Sequence, residues 1–510
     1  MKNSISRWFD DSFSESAGKK AVSFFRGMQL ETQLTYKDLK EDYTRLSAYF
    51  SELGLKKGDR IVFLIEKSVF FIIAYLAALK SGCIAVPLNP GFKTDELEYL
   101  ISDSDPELIL VDEDKKHRIQ EAGYKNTIIA IEKDQPYEKI DFFLSSDLKF
   151  KGTEIMQHDP ALIIYTSGTT GNPKGAVLTH ANLVSDAMNI IRIWQISEYD
   201  VLCHVLPLFH IHGLCFALNT CLLASSSIVM LDRFDPETLT PRLLEKDSLH
   251  QCTIFMAVPV MYTKLMDYIG DRKPDFSHLR LLTSGSAPLP EKEFRRITHV
   301  FGKEPVEREG MSETGMNFSN PVNGRKKPGS IGIPLPHVQV RIVNPETCEG
   351  VKQGETGEIF LKSPSITGEY LNKPDQTRAA FHKGWFRTGD LGKKDSDGYY
   401  YLTDRLKHII ITGGENVSAK QVEDVICSID GVKEACVVGI PDRIWGEAVA
   451  ALVQKDPGSD LTDSAIKEIC TQKLHDWKCP KQICFTDQIP RNTMGKVLKE
   501  KVKLYFTDMT

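Results

Sequence analysis

A glycine- and hydroxyl-rich loop between two apolar runs constrains this chain more than any other segment. The run 161–164 (Ala-Leu-Ile-Ile) is typical of a buried strand, and a second apolar run, 176–178, follows the loop. Glycines let backbone N–H groups approach an anion closely, and hydroxyls and a lysine add donors and positive charge. The spacing is not that of a P-loop, whose lysine opens a helix. The loop is therefore either a phosphate cradle or a polar surface loop. The cradle would use Thr166, Ser167, Gly168, Thr169, Thr170, Gly171 and Lys174.

Length and periodicity predict an α/β protein with more than one domain. The chain has 510 residues, which is more than one ordinary hydrophobic core accommodates. Predicted strands at 60–64, 84–87 and 107–111 alternate with helical segments such as 68–81. This alternation favours α/β sheets with helices on both faces.

Composition and charge exclude several classes of protein. A net charge of −6 gives no electrostatic argument for nucleic acid binding. The longest apolar run, 69–79, is too short to span a bilayer, and the N-terminal residues are not those of a signal peptide. The 11 cysteines include no C-x-x-C pair, so neither a zinc site nor a disulfide framework is indicated. A reducing cytoplasm is therefore the predicted location.

Further along the chain, polar or glycine-rich turns interrupt apolar segments. His210 and His212 lie in an apolar segment, 206–214, where they could line a pocket, bind a metal or fill a core. Small residues in the turn within 279–289 would allow a ligand to approach the backbone. The other segments of this kind are 309–315, 384–391, 402–417 and 490–496.

In this order and spacing, the segments resemble the AMP-forming, adenylate-making superfamily, which includes acyl-CoA synthetases, firefly luciferase and adenylation domains of peptide synthetases. The resemblance covers essentially the whole chain. It implies a large N-terminal domain, residues 1–404, and a small mobile α+β C-terminal domain, residues 405–510. It also implies ATP, Mg²⁺ and CoA as cofactors, and rotation of the small domain between two half-reactions.

The resemblance assigns a role to each candidate residue. Thr166, Glu313, His210 and Lys496 would be catalytic, and Glu313 with Thr166 would hold Mg²⁺. The nucleotide and CoA would contact, besides the loop, Ser286, Glu309, Gly310, Met311, Ser312, Thr314, Asp390, Arg405, Lys407, Gly413 and Gly414. The acid would contact His210, His212, Arg280, Ser284, Gly285 and Met316.

Two positions depart from the superfamily pattern. Glu309 occupies the position of an aromatic residue that stacks on adenine, and the loss of such a contact could cost ~1–3 kcal/mol of binding. His408 stands where an acid is common. The first departure affects ATP affinity more than reaction type.

The closest overall resemblance is to malonyl-CoA synthetases, carried by the segments 210–214, 316–321, 328–332 and 490–496. A dicarboxylate needs a cation for its distal charge, and Arg280 is the predicted partner. Other short, medium-chain or aromatic acids remain open. So do an adenylation enzyme that loads a carrier protein and a non-catalytic nucleotide- or acyl-binding protein. A monomer or homodimer is expected, with no nucleic acid partner and no membrane span.

Overall fold

The chain forms two compact units. The computed structural model describes residues 4–132, 135–140, 149–166, 173–246, 250–412, 415–492 and 496–509. Unit one comprises Met1–Gln339 and Lys362–Phe386, and unit two comprises Val340–Leu361 and Arg387–Thr510. The domain boundary predicted between residues 404 and 405 lies within unit two and stays a prediction.

Strands in the described residues are short and numerous. In chain order they are β1 (Lys20–Arg26), β2 (Gln29–Thr35), β3 (Arg60–Leu64), β4 (Ile84–Pro87), β5 (Leu108–Asp112), β6 (Thr127–Ile131), β7 (Pro160–Thr166), β8 (Lys174–Thr179), β9 (Val201–His204), β10 (Ser227–Leu231), β11 (Ile254–Ala257), β12 (Leu281–Ser284), β13 (Val306–Met311), β14 (Gly315–Ser319), β15 (Ile333–Pro334), β16 (Gln339–Val343), β17 (Gly357–Lys362), β18 (Glu369–Tyr370), β19 (Phe381–His382), β20 (Trp385–Lys394), β21 (Tyr400–Arg405), β22 (Ile409–Thr412), β23 (Glu415–Ser418), β24 (Val432–Asp442), β25 (Gly446–Lys455) and β26 (Gln482–Thr486).

Helices separate most of the parallel strands. They are α1 (Ile5–Glu15), α2 (Tyr36–Glu52), α3 (Val69–Ser81), α4 (Thr94–Ser104), α5 (Lys116–Glu121), α6 (His180–Trp194), α7 (Thr220–Leu223), α8 (Pro236–Leu244), α9 (Pro259–Ile269), α10 (Glu291–Phe301), α11 (Pro374–Ala379), α12 (Ala419–Cys427), α13 (Asp463–Lys473) and α14 (Lys499–Lys503). A π-helix spans His212–Asn219.

Local chemistry explains where the principal helices begin. Thr35 and Thr179 each form a capping box, with Asp38 and Asn182 as the reciprocal partners. Ser68 accepts a hydrogen bond from the Phe71 amide and starts α3, which is buried almost throughout. The helix and strand expected in this region are confirmed, as is the alternation of strands and helices.

Unit one contains two large sheets. The first has the order β15-β14-β13-β12-β11-β9-β10-β1-β2, and its pairings from β1 through β13 are parallel apart from the β1–β2 hairpin. The second has the order β18-β8-β7-β4-β3-β5-β6, with parallel pairing from β7 to β6. Ligands of open α/β sheets bind beyond the carboxyl ends of parallel strands, so the segments that follow β9 and β12 meet at a functional edge.

Unit two has its own core. β23, β22, β25 and β24 form a sheet in that order, and β26 pairs with β25. Buried aliphatic residues of α12, α13 and this sheet form a core on one face, and a second cluster involving Val502 and Phe506 covers the other. In the part of the chain that is described, no helix is long and apolar enough to cross a membrane.

Candidate active site

The two ends of the predicted phosphate loop are held together by strand pairing. Thr166 ends β7 and lies opposite Lys174, which begins β8. The Thr166 hydroxyl donates to the Lys174 carbonyl at 3.5 Å, which is long for a hydrogen bond. Ser167, Gly168, Thr169, Thr170 and Gly171 lie outside the described residues. The strand pair therefore fixes where the loop starts and returns.

Glu313, the predicted magnesium ligand, is linked through Tyr370 to Lys174, where β8 begins. It occupies the turn between β13 and β14 and is largely buried. Its Oε1 accepts a hydrogen bond from the Tyr370 hydroxyl at 3.2 Å, and its backbone carbonyl accepts one from the Thr367 amide at 2.7 Å. The Lys174 ammonium lies 5.2 Å from the centre of the Tyr370 ring. Tyr370 was missed from the sequence, where it appeared as an ordinary aromatic residue.

The donor set at Glu313 suits Mg²⁺ rather than a metal held by several side chains. Among the described residues, no group of three or more His, Cys, Asp or Glu side chains could hold a metal ion. Glu313 provides one carboxylate, and Thr166 ends the strand next to Lys174. Mg²⁺ commonly binds through one or two carboxylates, substrate phosphates and water. These residues therefore fit the predicted ion.

A cluster around the buried Arg308 forms at the carboxyl ends of the first sheet. We call it the buried arginine cluster and define it as Arg308, the buried His212 and Phe216, and the exposed Ser286. The Arg308 side chain lies in β13, and the residue is 3% exposed. Its guanidinium carbon is 5.1 Å from the Phe216 ring centre, and Nη2 is 3.5 Å from the Ser286 hydroxyl. Its Nε and Nη1 atoms have no hydrogen-bond partner among the described residues. A buried guanidinium with unused donors is costly, which makes it a candidate anion-binding group.

Within the cluster, Arg308 is charged and His212 is neutral. Burial lowers the pKa of Arg308 to about 10, although Glu309 and Asp186 oppose the shift, so Arg308 stays protonated at neutral pH. Burial, together with the positive charge of Arg308, holds the pKa of His212 well below its usual value. His212 Nδ1 is 3.3 Å from the Ser286 hydroxyl, and Nε2 has no partner in the described chain. The cluster thus carries one net positive charge.

The small residues after β12 have a packing reason. A Cβ on Gly285 would lie 2.7 Å from Nε and from the carbonyl oxygen of Arg308, so only glycine leaves room for the arginine. Ser286 adopts a left-handed backbone conformation, φ 67°, which is unusual for a residue with a side chain. Ser284 is buried, and its hydroxyl has no partner among the described residues. The structure therefore brings the segment Ser284–Ser286 next to His212, while half-buried His210 lies two residues before His212.

Arg280 does not join this cluster, and its predicted contact with the acid is corrected. Its guanidinium donates to both carboxylate oxygens of Asp200, at 2.6 and 2.7 Å, and to the carbonyls of Trp194 and Gln195. Arg280 precedes β12, whereas Ser284 ends it, and four residues of strand separate the two by ~13 Å. A strand places its two ends on opposite edges of the sheet, which the local sequence pattern alone did not resolve.

Contacts with Asp186 of α6 fix the turn between β13 and β14. The Met316 amide donates to Asp186 Oδ1 at 2.8 Å. Gly315 has φ 71°, and a Cβ there would lie 2.5 Å from the same oxygen. A Cβ on Gly310 would lie 2.7 Å from the Gly315 carbonyl, so the two strands approach closely. This packing positions the predicted residues Met311, Ser312, Glu313 and Thr314 on one short turn.

Glu309 has polar neighbours in place of the expected aromatic stack. The Asn317 side-chain amide donates to Glu309 Oε2 at 3.1 Å and to the Thr314 hydroxyl at 2.7 Å. Glu309 faces Phe318 across the β13–β14 pair. The carboxylate is thus part of a polar network that also holds Thr314.

In unit two, the predicted ribose-side residues form an ion pair. Asp390 on β20 pairs in register with Arg405 on β21, and Arg405 Nε is 2.6 Å from Asp390 Oδ1. Asp404 accepts hydrogen bonds from the Ser418 hydroxyl at 2.6 Å and from the Lys420 amide at 3.1 Å. It therefore ties the end of β21 to the start of α12. Gly413, Gly414 and the Lys407 side chain lie outside the described residues.

Lys496 is an exposed residue of unit two. Its amide donates to the Asn492 side chain at 2.9 Å, and the Asn492 amide donates to the Lys496 carbonyl at 2.9 Å. Arg491 and Val497 form an antiparallel bridge next to these contacts. Residues 491–492 and 496–497 are thus held together by backbone and side-chain contacts.

Unit one is an α/β scaffold in which the buried Glu313 carboxylate is linked through Tyr370 to the β7–β8 strand pair, an arrangement expected of a nucleotide-binding enzyme. The chain belongs to the family of AMP-binding enzymes: the family model for the AMP-binding enzyme matches residues 9–371, and the model for the AMP-binding enzyme C-terminal domain matches residues 421–496.

Relatives and solved structures support this membership over the whole chain. Mitochondrial malonate–CoA ligase of Mus musculus is 34% identical, covering 92% of this chain and 86% of its own length. A long-chain-fatty-acid–CoA ligase of Bacillus subtilis (strain 168) is 31% identical, covering 96% of this chain and 92% of its own. The crystal structure of ATP-bound MatB from Rhodopseudomonas palustris superposes with a TM-score of 0.93 at 34% identity, covering 100% of both chains.

Proposed function

We propose that this protein is an ATP-dependent carboxylic acid–CoA ligase. Membership of the AMP-binding enzymes and similarity over more than nine-tenths of the chain to two CoA ligases support the reaction class. Similarity to a structure with bound ATP supports the nucleotide. Catalysis of this kind needs positioning of the reactants and stabilisation of developing charge.

The reaction has two steps. A carboxylate oxygen of the acid bonds to the α-phosphorus of ATP while the bond to the bridging oxygen of the β-phosphate breaks, and pyrophosphate leaves. The CoA thiol, losing its proton, then bonds to the acyl carbon, the carbon–oxygen bond to AMP breaks, and AMP leaves. Bound Mg²⁺ neutralises phosphate charge.

Each group of residues has a task in these steps. Thr166 and Lys174 bind the β- and γ-phosphates at the ends of their loop, and Glu313 binds the metal. Asp390 accepts the ribose hydroxyls, with Arg405 fixing its carboxylate. Lys496 stabilises charge on the α-phosphate during adenylation.

The buried arginine cluster is the observation that carries the choice of acid. Arg308 is charged, buried and has two donors without partners among the described residues. A second carboxylate on the substrate would satisfy these donors and offset the cost of burying the charge. A fatty acid tail would leave them unpaired. We therefore assign a short malonate-like dicarboxylate as the substrate, with Arg308 in the role first predicted for Arg280.

Neutral His212 complements this assignment. Its Nε2 has no partner among the described residues, and its Nδ1 contacts Ser286. A neutral imidazole can donate or accept one hydrogen bond without adding a second positive charge. His212 would therefore position the acid through a hydrogen bond, without forming a second ion pair.

The first test is pyrophosphate release with ATP and Mg²⁺ across a panel of acids, with and without CoA. The panel contains malonate, methylmalonate, acetate, butyrate, octanoate and benzoate. Release with malonate and formation of its CoA thioester are expected. Release without any CoA thioester would indicate loading of a carrier protein, and no release with any acid would indicate a non-catalytic binding protein.

The second test compares two arginines. Arg308→Met is expected to shift the ratio of kcat/KM for malonate to that for butyrate by ~100-fold or more towards butyrate, because a buried charge pair is lost. Arg280→Met, the matched control, is expected to lower thermal stability and leave this ratio unchanged. An equal loss for both acids in Arg308→Met, with the ratio preserved, would contradict the assignment.

A further inference from the structure

We infer that Tyr370 is a positioning residue that couples the metal-binding carboxylate to the phosphate-loop lysine. The inference rests on the proposed function, because it assumes that Glu313 holds Mg²⁺ and that Lys174 contacts phosphate. Tyr370 belongs to none of the segments from which the site was predicted.

The two ends of the Tyr370 side chain contact the two groups separately. The hydroxyl donates to Glu313 Oε1 at 3.2 Å, and the ring centre lies 5.2 Å from Lys174 Nζ. A cation near the face of an aromatic ring is attracted to it, and a phenol donor fixes a carboxylate. One side chain therefore bridges an anionic and a cationic group of the same site.

Backbone contacts hold Tyr370 itself in place. It ends β18 and pairs in register with Ala176 of β8, two residues after Lys174. Its amide donates to the Thr377 hydroxyl at 3.0 Å, and the next amide, of Leu371, donates to the Gly175 carbonyl at 2.8 Å. The aromatic ring is thus fixed to the strand that begins with Lys174.

Among the described residues, Oε1 is the one oxygen of the Glu313 carboxylate that accepts a hydrogen bond, from Tyr370. The amide of Thr367, three residues before Tyr370, holds the Glu313 backbone. This arrangement orients the carboxylate and leaves Oε2 to bind a metal. Hydrogen bonds of this type to metal ligands commonly change metal affinity 10- to 100-fold when removed.

Removal of the Tyr370 hydroxyl alone and removal of the whole ring have different expected effects. Tyr370→Phe removes the donor to Glu313 and keeps the ring over Lys174. The Mg²⁺ concentration for half-maximal pyrophosphate release should rise about 10-fold, and kcat should recover at saturating Mg²⁺. The affinity for ATP without Mg²⁺, measured by calorimetry, should stay within about twofold.

Tyr370→Leu removes both contacts. It should weaken ATP binding without Mg²⁺ by about 3- to 10-fold, in addition to raising the Mg²⁺ requirement. This second effect separates the role of the ring from that of the hydroxyl.

Tyr401→Phe is the matched control. The Tyr401 hydroxyl donates to Asp395 Oδ2, also at 3.2 Å, and Tyr401 is not among the residues assigned to the site. It should change neither quantity.

Three outcomes decide the inference. A selective rise in Mg²⁺ requirement for Tyr370→Phe supports it. A Mg²⁺ requirement no higher than that of Tyr401→Phe, or equal loss of ATP binding with and without Mg²⁺, overturns it. Absence of Mg²⁺-ATP binding by the wild-type chain overturns the proposed function itself, and calorimetry on the wild type distinguishes that failure.

Discussion

The buried arginine cluster of unit one and the Lys496 turn of unit two present positive charge in opposite ways. Arg308 is enclosed, contacts the Phe216 ring and leaves two donors without partners among the described residues. Lys496 is exposed, and its backbone contacts Asn492. A buried charge must be compensated by a ligand of matching chemistry, whereas an exposed one keeps its water and can engage different groups at little cost. The first arrangement suits selection of a substrate, and the second suits a transient role in one step.

The largest expected effect concerns Lys496, the exposed charge in this comparison. Lys496→Ala should lower adenylation by about 100-fold or more, because stabilisation of the α-phosphate charge is lost, while transfer of a supplied acyl-adenylate to CoA stays within about threefold. Pyrophosphate exchange and thioester formation measure the two steps. Lys501→Ala, an exposed lysine of α14, is the control. Equal loss of both steps would contradict a role limited to adenylation.

A smaller effect is expected on the stability of unit one, through packing at the turn between β13 and β14. Gly315→Ala places a Cβ against Asp186 and forces a residue with a side chain into φ 71°. The expected cost is about 2–4 kcal/mol, measured by denaturant or thermal unfolding. Gly302→Ala has a similar φ of 65° with no atom within 4 Å, so it should show only the backbone cost of about 1–2 kcal/mol. Equal destabilisation by both variants would show that contact with Asp186 does not matter.

The stability of the protein should depend on pH through the buried carboxyl of Asp186, which contacts the segment after the β13–β14 turn. Burial raises the pKa of Asp186 from 3.8 to about 7. Since the folded pKa exceeds the unfolded one, the stabilising contribution is complete below the unfolded value and decreases as pH rises through 7. Between pH 6 and pH 8 the wild type should lose about 1.4 kcal/mol relative to Asp186→Asn. Parallel stability curves for the two proteins would contradict this.

The smallest expected effect concerns adenine. Glu309→Tyr would add a stacking surface worth ~1–3 kcal/mol of binding. It also removes the acceptor of the Asn317 amide, and the rearrangement of this polar network should keep the gain at the low end of the range. The net gain should be about 1 kcal/mol, or about fivefold tighter ATP binding by calorimetry. Glu309→Gln, which keeps an acceptor for Asn317, is the control and should leave ATP affinity within twofold. Weaker binding by the tyrosine variant would show that the polar network serves the nucleotide.

Local sequence predicted much of the scaffold. The helix predicted over 68–81 is found as α3, with Ser68 as its cap, because capping depends on a few neighbouring residues. Strands β3, β4, β5 and β7 were found from runs of apolar residues. The fold class is confirmed for the same reason, with the large and small parts matched by the two family models. The role of Arg280 is corrected, whereas the roles assigned to the other site residues, the domain boundary, the oligomeric state and the cytoplasmic location stay predictions.

What the sequence determined by itself was the set of chemical groups and their order along the chain, because each motif is short and keeps its residues together. Only the tertiary structure decided which arginine is buried with His212. Arg280 precedes β12, whereas Arg308 lies within β13, the neighbouring strand of the same sheet. The contact of Tyr370 with both Glu313 and Lys174 likewise joins three distant segments. Such contacts depend on strand pairing over long sequence separations, which local residue patterns do not encode.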